Sequence, residues 1–196
     1  KKDGINLFIR KIMKYKIKEI FFTLQGEGFN SGSSAIFCRF SGCNLWNGKE
    51  KDKHKSDCTF CDTDFVGTNG INGGKYSLNV LVEKIVSLWP KNKDNKFIVF
   101  TGGEPLLQLN DVLIKELKKH QFKIAIETNG TILPPQGLDW ICVSPKAKTN
   151  LVLKKGDELK VVYPQKDLDL KMLETYKFDN FYLQPLYNEE LIKNTK

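Results

Sequence analysis

The sequence has 196 residues, a mass of 22.5 kDa and a formal net charge of +8 at pH 7. Its length favours a single domain, and its 40% hydrophobic and 28% charged residues are typical of a globular protein. We expect no secretory signal and no membrane helix, because no uncharged apolar stretch approaches about 18 residues. Five cysteines are an odd number, which disfavours a disulfide framework and favours a cytoplasmic location.

The positive charge is concentrated at the amino terminus. Residues 1–20 hold seven Lys or Arg and only two Asp or Glu. A nucleic-acid groove needs basic residues spread around a fold, so we expect no direct binding of nucleic acid. Residues 1–12 are predicted to be a flexible basic extension, and residues 13–196 a single domain.

Apolar runs predict the strands. A first strand is expected over residues 15–21, and six further runs cover residues 35–40, 97–100, 123–126, 140–143, 159–163 and 181–183. The six runs are continuous and do not alternate, which is typical of a parallel sheet covered on both faces. Helices are predicted between residues 78 and 89, after Asn110, and over residues 168–176. Glycine-rich residues 67–74 are expected to form a flexible loop.

This alternation predicts an α/β fold. A complete eightfold barrel runs to about 250 residues, so we expect an incomplete, TIM-like barrel of about six parallel strands with few, short helices. Polar residues follow nearly all of these strands. Because the carboxyl ends of parallel strands share one face, which carries the chemistry in such barrels, we expect the functional site there.

A cluster of three cysteines is spaced C-x14-C-x2-C. Its members are Cys43, Cys58 and Cys61. Thiolates suit zinc or an iron–sulfur cluster, and three ligands leave one position open, as a catalytic centre requires. The spacing alone leaves zinc and iron–sulfur equally open, with His54 and Cys38 as candidates for a fourth ligand. Cys38 and Cys142 lie within predicted strands and are expected to be buried and inert.

Six motifs occur in a fixed order around these cysteines. They are TLQGEG at residues 23–28, RFSGCNL at 39–45, CDT at 61–63, TGGEP at 101–105, ETNG at 127–130 and SPK at 144–146. From about residue 15 to 185, this set resembles the 7-carboxy-7-deazaguanine synthases, which are radical S-adenosylmethionine enzymes. The fourteen residues between the first two cysteines replace the three that are usual in that superfamily, and resemble an insertion found in a subgroup of these synthases.

The resemblance has a second departure, at the C-terminus. The family continues past Gln184 and Pro185 into a helix and a final strand, which bring a histidine and the chain end towards the substrate. This sequence ends at Lys196 without either, and has Leu186-Tyr187 in place of the more usual Met-Asp. We therefore expect a short or missing tail at this side of the pocket.

The resemblance implies a 4Fe–4S cluster held by the three cysteines. Its free iron would chelate S-adenosylmethionine and generate a 5′-deoxyadenosyl radical. The residues implied to bind S-adenosylmethionine are Phe60, Cys61, Asp62, Gly103, Ser144, Pro145, Lys146 and Gln184. Those implied to bind the substrate are Leu24, Gln25, Gly26, Glu27, Arg39 and Thr101. Thr63 is implied to hold Mg²⁺, which bridges to the substrate carboxylate.

The implied reaction is a ring contraction. The substrate would be 6-carboxy-5,6,7,8-tetrahydropterin, and the products 7-carboxy-7-deazaguanine and ammonia, on the pathway towards queuosine. The Gln25 amide can pair with the donor and acceptor edge of the pterin, and the planar fork of Arg39 suits its carboxylate. The family further implies a flavodoxin or ferredoxin as electron donor and a homodimer.

Two alternatives share some of these features. A glycyl-radical-activating enzyme has the same kind of cluster but acts on a polypeptide; the TLQGEG motif and the long insertion between the cysteines argue against it. A zinc-stabilised nucleic-acid module would explain the cysteines and the basic amino terminus. It predicts a colourless, zinc-containing protein whose RNA binding is sensitive to salt.

Overall fold

The computed structural model describes residues 14–186 together with residues 190, 193 and 195. The predicted extension at residues 1–12 and most of the chain beyond residue 186 lie outside this part. The described strands are β1 (Lys14–Leu24), β2 (Ser34–Phe40), β3 (Gly74–Ser77), β4 (Phe97–Gly102), β5 (Lys123–Thr128), β6 (Trp140–Val143), β7 (Lys155–Tyr163) and β8 (Lys177–Pro185). The described helices are α1 (Leu78–Leu88), α2 (Asp111–Lys119) and α3 (Leu170–Glu174), with 3-10 segments at Glu50–Lys55 and Pro105–Leu107.

All eight strands form one sheet, in the order β3-β1-β2-β4-β5-β6-β7-β8. Strands β2, β4, β5, β6, β7 and β8 are parallel to their neighbours in this series and contain the six apolar runs. The prediction of an α/β partial barrel with about six parallel strands is therefore confirmed. Because these strands run side by side in chain order, their carboxyl ends lie along one rim of the sheet.

The other end of the sheet is antiparallel. β1 pairs with both β2 and β3 in antiparallel register, and β3 was not predicted. The glycine-rich stretch before β3 packs directly against β1. The N–H of Gly70 donates to the carbonyl oxygen of Lys18 at 3.0 Å, and a Cβ on Gly73 would lie 2.3 Å from that oxygen. Only glycine allows so close an approach, which explains the composition of this segment.

Two of the helices begin where the sequence predicts. α1 follows Ser77 and buries one apolar face against the sheet; the buried side chains are Leu78, Leu81, Val82 and Ile85. α2 follows Asn110, whose side-chain oxygen accepts a hydrogen bond from the N–H of Leu113 at 3.1 Å and so caps the helix. No helix within the described residues is long and apolar enough to cross a membrane.

Candidate active site

A cavity of about 700 Å³ opens at the carboxyl ends of the parallel strands, within the range of about 300–1,000 Å³ that is typical of small-molecule sites. The predicted site residues that line it are Leu24, Gln25, Gly26, Glu27, Arg39, Cys58, Phe60, Cys61, Asp62, Thr63, Thr101, Ser144, Lys146 and Gln184. Three predicted residues, Cys43, Gly103 and Pro145, are absent from its wall. Side chains that line it and were not predicted include Phe21, Thr23, Phe37, Glu127, Lys160 and Val162.

Cys58 and Cys61 lie side by side at one end of the cavity. A hydrogen bond between their side chains lowers the pKa of Cys61 to about 6 and raises the pKa of Cys58 above its usual range. The pKa of the Cys43 thiol is raised, mainly by burial, with Cys61 near enough to add to the shift. Cys61 therefore lies near both of the other cysteines, and it is a thiolate near neutral pH.

Lys146 places a positive charge against all three cysteines. Burial lowers the pKa of its ammonium group, while the negative charges of Cys58, Cys61 and Cys43 oppose that shift. Its Nζ is fixed by the backbone oxygen and the hydroxyl of Ser144, both at 2.8 Å, and lies 5.7 Å from the centre of the Phe60 ring. A cationic group held in this position offsets the negative charge of thiolate ligands.

The cysteines fit a four-iron cluster. Such a cluster binds each of the three cysteines at a different iron and leaves the fourth iron open for a further ligand. Within the described residues, no three His, Cys, Asp or Glu side chains are close enough to hold a single metal ion. Neither candidate for a fourth ligand is suitably placed. His54 is exposed on the 3-10 segment at Glu50–Lys55, and Cys38 is fully buried in β2.

Gly103 positions the loop that carries Cys43. A Cβ on Gly103 would lie 2.3 Å from the Gly42 carbonyl oxygen and 2.6 Å from the Cys43 Cβ, so this contact requires glycine. The next residue, Glu104, donates its N–H to the same Gly42 oxygen at 2.9 Å. The packing of the cysteine loop therefore requires glycine at position 103, which the sequence alone did not indicate.

The Glu104 carboxylate joins this loop to the one that follows β5. It is fully buried and accepts hydrogen bonds from the N–H groups of Leu106 and Asn129, both at 2.9 Å, and from the Thr128 hydroxyl at 2.8 Å. Burial raises its pKa, and the three donors counteract this shift. The glutamate of the TGGEP motif is therefore part of the scaffold beneath the cysteines.

Arg39 and Thr101 lie side by side on neighbouring strands at the cavity wall. The Arg39 Nε donates to Glu19 Oε1 at 2.8 Å. Among the described residues, only Glu19 bonds the Arg39 guanidinium group, which leaves its two terminal nitrogens for a ligand in the cavity. The ion pair with Glu19 and a role in carboxylate binding are thus compatible.

A polar network forms another part of the cavity wall. The Gln25 amide donates to Glu127 Oε1 at 2.8 Å, and its oxygen accepts from the N–H of Glu27 at 3.2 Å. The Lys160 ammonium group donates to Glu27 Oε2 at 2.8 Å and to Glu127 Oε1 at 3.3 Å. Two predicted substrate-binding residues are therefore connected through Glu127 and Lys160.

Thr63 lines the cavity beside Cys61. Both its N–H and its hydroxyl hydrogen-bond to the Cys61 sulfur, which helps to lower the Cys61 pKa. A hydroxyl that donates to sulfur still has lone pairs for a cation, so the residue fits the predicted Mg²⁺ site. Asp62 is exposed at the same wall. Pro145 is buried, and its carbonyl oxygen accepts from the Gln165 side chain at 3.3 Å, which holds the SPK segment in place.

Comparison with known proteins identifies the chain. Residues 55–155 match the model of the Radical SAM superfamily. The 7-carboxy-7-deazaguanine synthase of Bradyrhizobium diazoefficiens is 53% identical over 184 residues, which are 93% of this chain and 88% of the relative. The chain belongs to the 7-carboxy-7-deazaguanine synthase family. The synthase of Caulobacter vibrioides is 51% identical, over 94% of this chain and 88% of that relative.

A solved structure agrees with this assignment. The crystal structure of QueE from Escherichia coli is 27% identical, covers 96% of this chain and 90% of its own, and has a TM-score of 0.65. Membership of the 7-carboxy-7-deazaguanine synthase family makes the chain a radical S-adenosylmethionine lyase that uses a 4Fe–4S cluster and S-adenosylmethionine. The alternatives of a glycyl-radical-activating enzyme and of a zinc-stabilised nucleic-acid module are set aside by this membership.

One pattern in the sequence could have indicated the polar part of the cavity wall, which was not predicted. Within β7, Glu158 and Lys160 alternate with the apolar residues Leu159 and Val161, and all four are buried. Alternating residues of a strand face opposite sides, so a charged series that alternates with a buried apolar series indicates a polar cavity on one side. Glu127 was visible as the first residue of the ETNG motif, directly at the end of β5.

Proposed function

We propose that the chain contracts the ring of 6-carboxy-5,6,7,8-tetrahydropterin to 7-carboxy-7-deazaguanine, with release of ammonia. The observation that carries this proposal is that one cavity is lined both by Cys58 and Cys61 and by the hydrogen-bonded pair Gln25 and Glu127. When bound, the cluster and S-adenosylmethionine supply the radical that removes hydrogen from the carbon bearing the carboxylate. The chain supplies the orientation of both molecules.

Two groups of lining residues divide the recognition of the substrate between them. The terminal nitrogens of Arg39, with the neighbouring Thr101 hydroxyl, bind the carboxylate through charge-assisted hydrogen bonds. Gln25 and Glu27 bind the amino-substituted ring edge, with backbone contacts from Leu24 and Gly26. Fixing both ends of a flat molecule leaves one orientation for its reacting carbon.

S-adenosylmethionine lies between the cluster and the substrate in this proposal. The Phe60 ring packs against its adenine, while Ser144, Lys146 and Gln184 bind the nucleoside. Gly103 and Pro145 act from behind the wall, by positioning the cysteine loop and the SPK segment. Asp62 bonds the adenine edge.

Mg²⁺ is the further cation of the proposed site. Thr63 supplies one oxygen ligand at the cavity wall, and the substrate carboxylate and water supply the others. The cation would neutralise the carboxylate together with Arg39. A flavodoxin or ferredoxin is the proposed electron donor, because the net charge of +8 suits an acidic partner.

The organisation of the whole chain is part of the proposal. Residues 13–196 form a single domain after a basic extension at residues 1–12, and the active species is a homodimer. All described strands from Lys14 to Pro185 lie in one sheet, which supports the single domain. The five cysteines are free thiols, which supports a reducing, cytoplasmic location.

Anaerobic reconstitution tests this function. The protein is loaded with iron and sulfide, its visible spectrum is recorded, and it is incubated with dithionite, S-adenosylmethionine, Mg²⁺ and 6-carboxy-5,6,7,8-tetrahydropterin. We expect the brown colour of an iron–sulfur protein and the formation of 7-carboxy-7-deazaguanine in amounts that exceed the enzyme. Loss of S-adenosylmethionine without conversion of the pterin would contradict the proposed substrate.

A further inference from the structure

Lys160 is a buried lysine that no sequence motif singled out. Its side chain is 7% exposed, and it lies on β7 with its ammonium group at the cavity wall. Burial by itself would lower the pKa of this ammonium group, but the surrounding negative charges of Glu127 and Glu27 outweigh burial and raise it. The ammonium group therefore stays charged, in a place where a charge without partners would be costly.

The two carboxylates beside Lys160 come from different parts of the chain. Glu127 is the second-last residue of β5, whereas Glu27 lies in the connection between β1 and β2. Lys160 Nζ is 2.8 Å from Glu27 Oε2 and 3.3 Å from Glu127 Oε1. It is thus the cation that holds two like charges together on one wall, since the carboxylates would otherwise repel each other.

Each carboxylate keeps one oxygen free of this contact. Lys160 takes Oε2 of Glu27, and Lys160 and Gln25 share Oε1 of Glu127. The described residues donate no hydrogen bond to the other oxygen of either carboxylate, and both glutamates line the cavity. The wall therefore presents two fixed acceptors, and two of the three N–H donors of Lys160 are used to hold them.

We infer that Lys160 is a positioning residue which, by holding Glu27 and Glu127, sets the preference of the cavity for a ring that carries an amino group next to a ring N–H. A 2-aminopyrimidinone offers two adjacent N–H donors at one edge, and two carboxylate oxygens are their complement. Lys160 acts on the ligand through the two glutamates that it holds. This inference rests on the proposed function, because it names how that same site selects its substrate.

Two ligands test this selection directly. The product 7-carboxy-7-deazaguanine carries the amino group, and 7-carboxy-7-deazahypoxanthine has the same ring and carboxylate without it. Binding of each is measured by anaerobic calorimetry with the cluster-loaded protein. In the wild type, we expect the amino group to tighten binding about tenfold or more, as charge-assisted hydrogen bonds do.

The decisive variant is Lys160→Met, which keeps the length of the side chain and removes the charge. We expect it to weaken binding of the guanine-type ligand about tenfold or more while leaving the hypoxanthine-type ligand nearly unchanged, so that the discrimination is lost. The KM for the pterin should rise more than kcat falls. The matched control is Lys118→Met, which removes a lysine from its ion pair with Asp139, away from the cavity, and should retain the discrimination.

Two results would overturn the inference. The first is a Lys160→Met protein that takes up its cluster and still discriminates between the ligands as the wild type does. The second applies if the Lys160→Met protein does not fold, in which case Glu27→Gln, a change at an exposed residue, is tested instead. A Glu27→Gln protein that prefers the guanine-type ligand as strongly as the wild type does would contradict the role proposed for Lys160. If the wild type converts the pterin but shows no preference between the two ligands, only this inference is wrong. If the wild type neither binds the ligands nor converts the pterin, the proposed function is wrong as well.

Discussion

The Glu158 carboxylate fills the place that a side chain at Gly28 would occupy. Glu158 Oε1 lies 1.9 Å from the position of a Cβ on Gly28, whose φ is +67°. The other carboxylate oxygen of Glu158 accepts from the Trp140 indole N–H at 3.1 Å and from the N–H of Phe29 at 3.3 Å. The connection that carries the substrate-binding residues is thus fixed to β7 by one buried carboxylate, and Gly28 permits the approach.

Gly28→Ala should therefore loosen this connection. We expect the free energy of unfolding to fall by about 1–3 kcal/mol, from the positive φ and the displaced carboxylate together, and the KM for the pterin to rise. Chemical denaturation and steady-state kinetics measure the two effects. Gly32→Ala is the matched control, because Gly32 also has a positive φ but has nothing near its Cβ position. Equal losses in both variants would remove Glu158 from the explanation.

The cysteines divide into three ligands and two buried thiols. Replacing Cys43, Cys58 or Cys61 singly with Ala should abolish cleavage of S-adenosylmethionine, because the cluster loses a ligand. Cys38→Ala and Cys142→Ala should keep it, since both thiols are buried away from the other three. Iron content and the visible spectrum are measured with cleavage. If Cys38→Ala also lost the cluster, the assignment of three ligands would be wrong.

Arg39→Lys should weaken binding of the substrate by about 1.5–3 kcal/mol and leave uncoupled cleavage of S-adenosylmethionine intact, because lysine keeps the charge but loses the planar fork. The measurement is the KM for the pterin beside the rate of cleavage without it. Glu19→Gln removes only the ion pair with Arg39 and serves as the control. An equal loss of substrate binding in both variants would mean that the effect of Arg39→Lys comes from the ion pair with Glu19 and not from contact with the substrate.

Thr63→Ala should remove most of the stimulation by Mg²⁺ and leave the iron content unchanged. The hydroxyl is the ligand that the chain contributes, so without it the cation is held only by substrate and water. Initial rates are measured against the concentration of Mg²⁺, with Thr63→Ser as the control that retains a hydroxyl. Curves that superimpose after scaling would leave Thr63 with its hydrogen bond to Cys61 as its whole role.

Glu104→Gln should destabilise the fold. In this variant, an amide nitrogen would replace one of the two carboxylate oxygens that accept hydrogen bonds from three buried donors. At least one of these donors would then be unsatisfied, at a cost of about 1–3 kcal/mol. The midpoint of chemical unfolding of the cluster-free protein measures the effect. Glu83→Gln, an exposed change on α1, is the control and should shift the midpoint little. An unchanged midpoint in Glu104→Gln would show that water already satisfies these donors.

The sequence predicted the parallel part of the fold because its strands are continuous apolar runs. It did not predict β3, since four residues with one tyrosine carry no periodic signal. It also placed the starts of β7 and β8 four residues too late. The omitted residues are KGDE at the start of β7 and KFDN at the start of β8. Their charged residues interrupt the apolar pattern from which the strands were predicted.

The cysteines and most of the cavity wall were predictable because short motifs mark them. The packing of Gly103 against the cysteine loop and the contact of Lys160 with Glu27 were not, since both depend on contacts between distant parts of the chain. Gly103 meets the Gly42 carbonyl oxygen only when β2 and β4 are neighbours. Lys160 meets Glu27 across 133 positions of sequence, and nothing local in either residue indicates that contact.

The 3-10 segment at Glu50–Lys55 buries no side chain, although it lies between two of the cysteines in sequence. At the base of the insertion, the Trp46 ring packs edge to face on the Phe65 ring, with 5.5 Å between the ring centroids. The tip is therefore separated from the folded core by a packed aromatic layer. A short peptide tag or a dye-labelled residue placed at Lys51 would sit on the exposed insertion between Cys43 and Cys58 without disturbing the sheet, and a change in its fluorescence would report a redox partner that binds there.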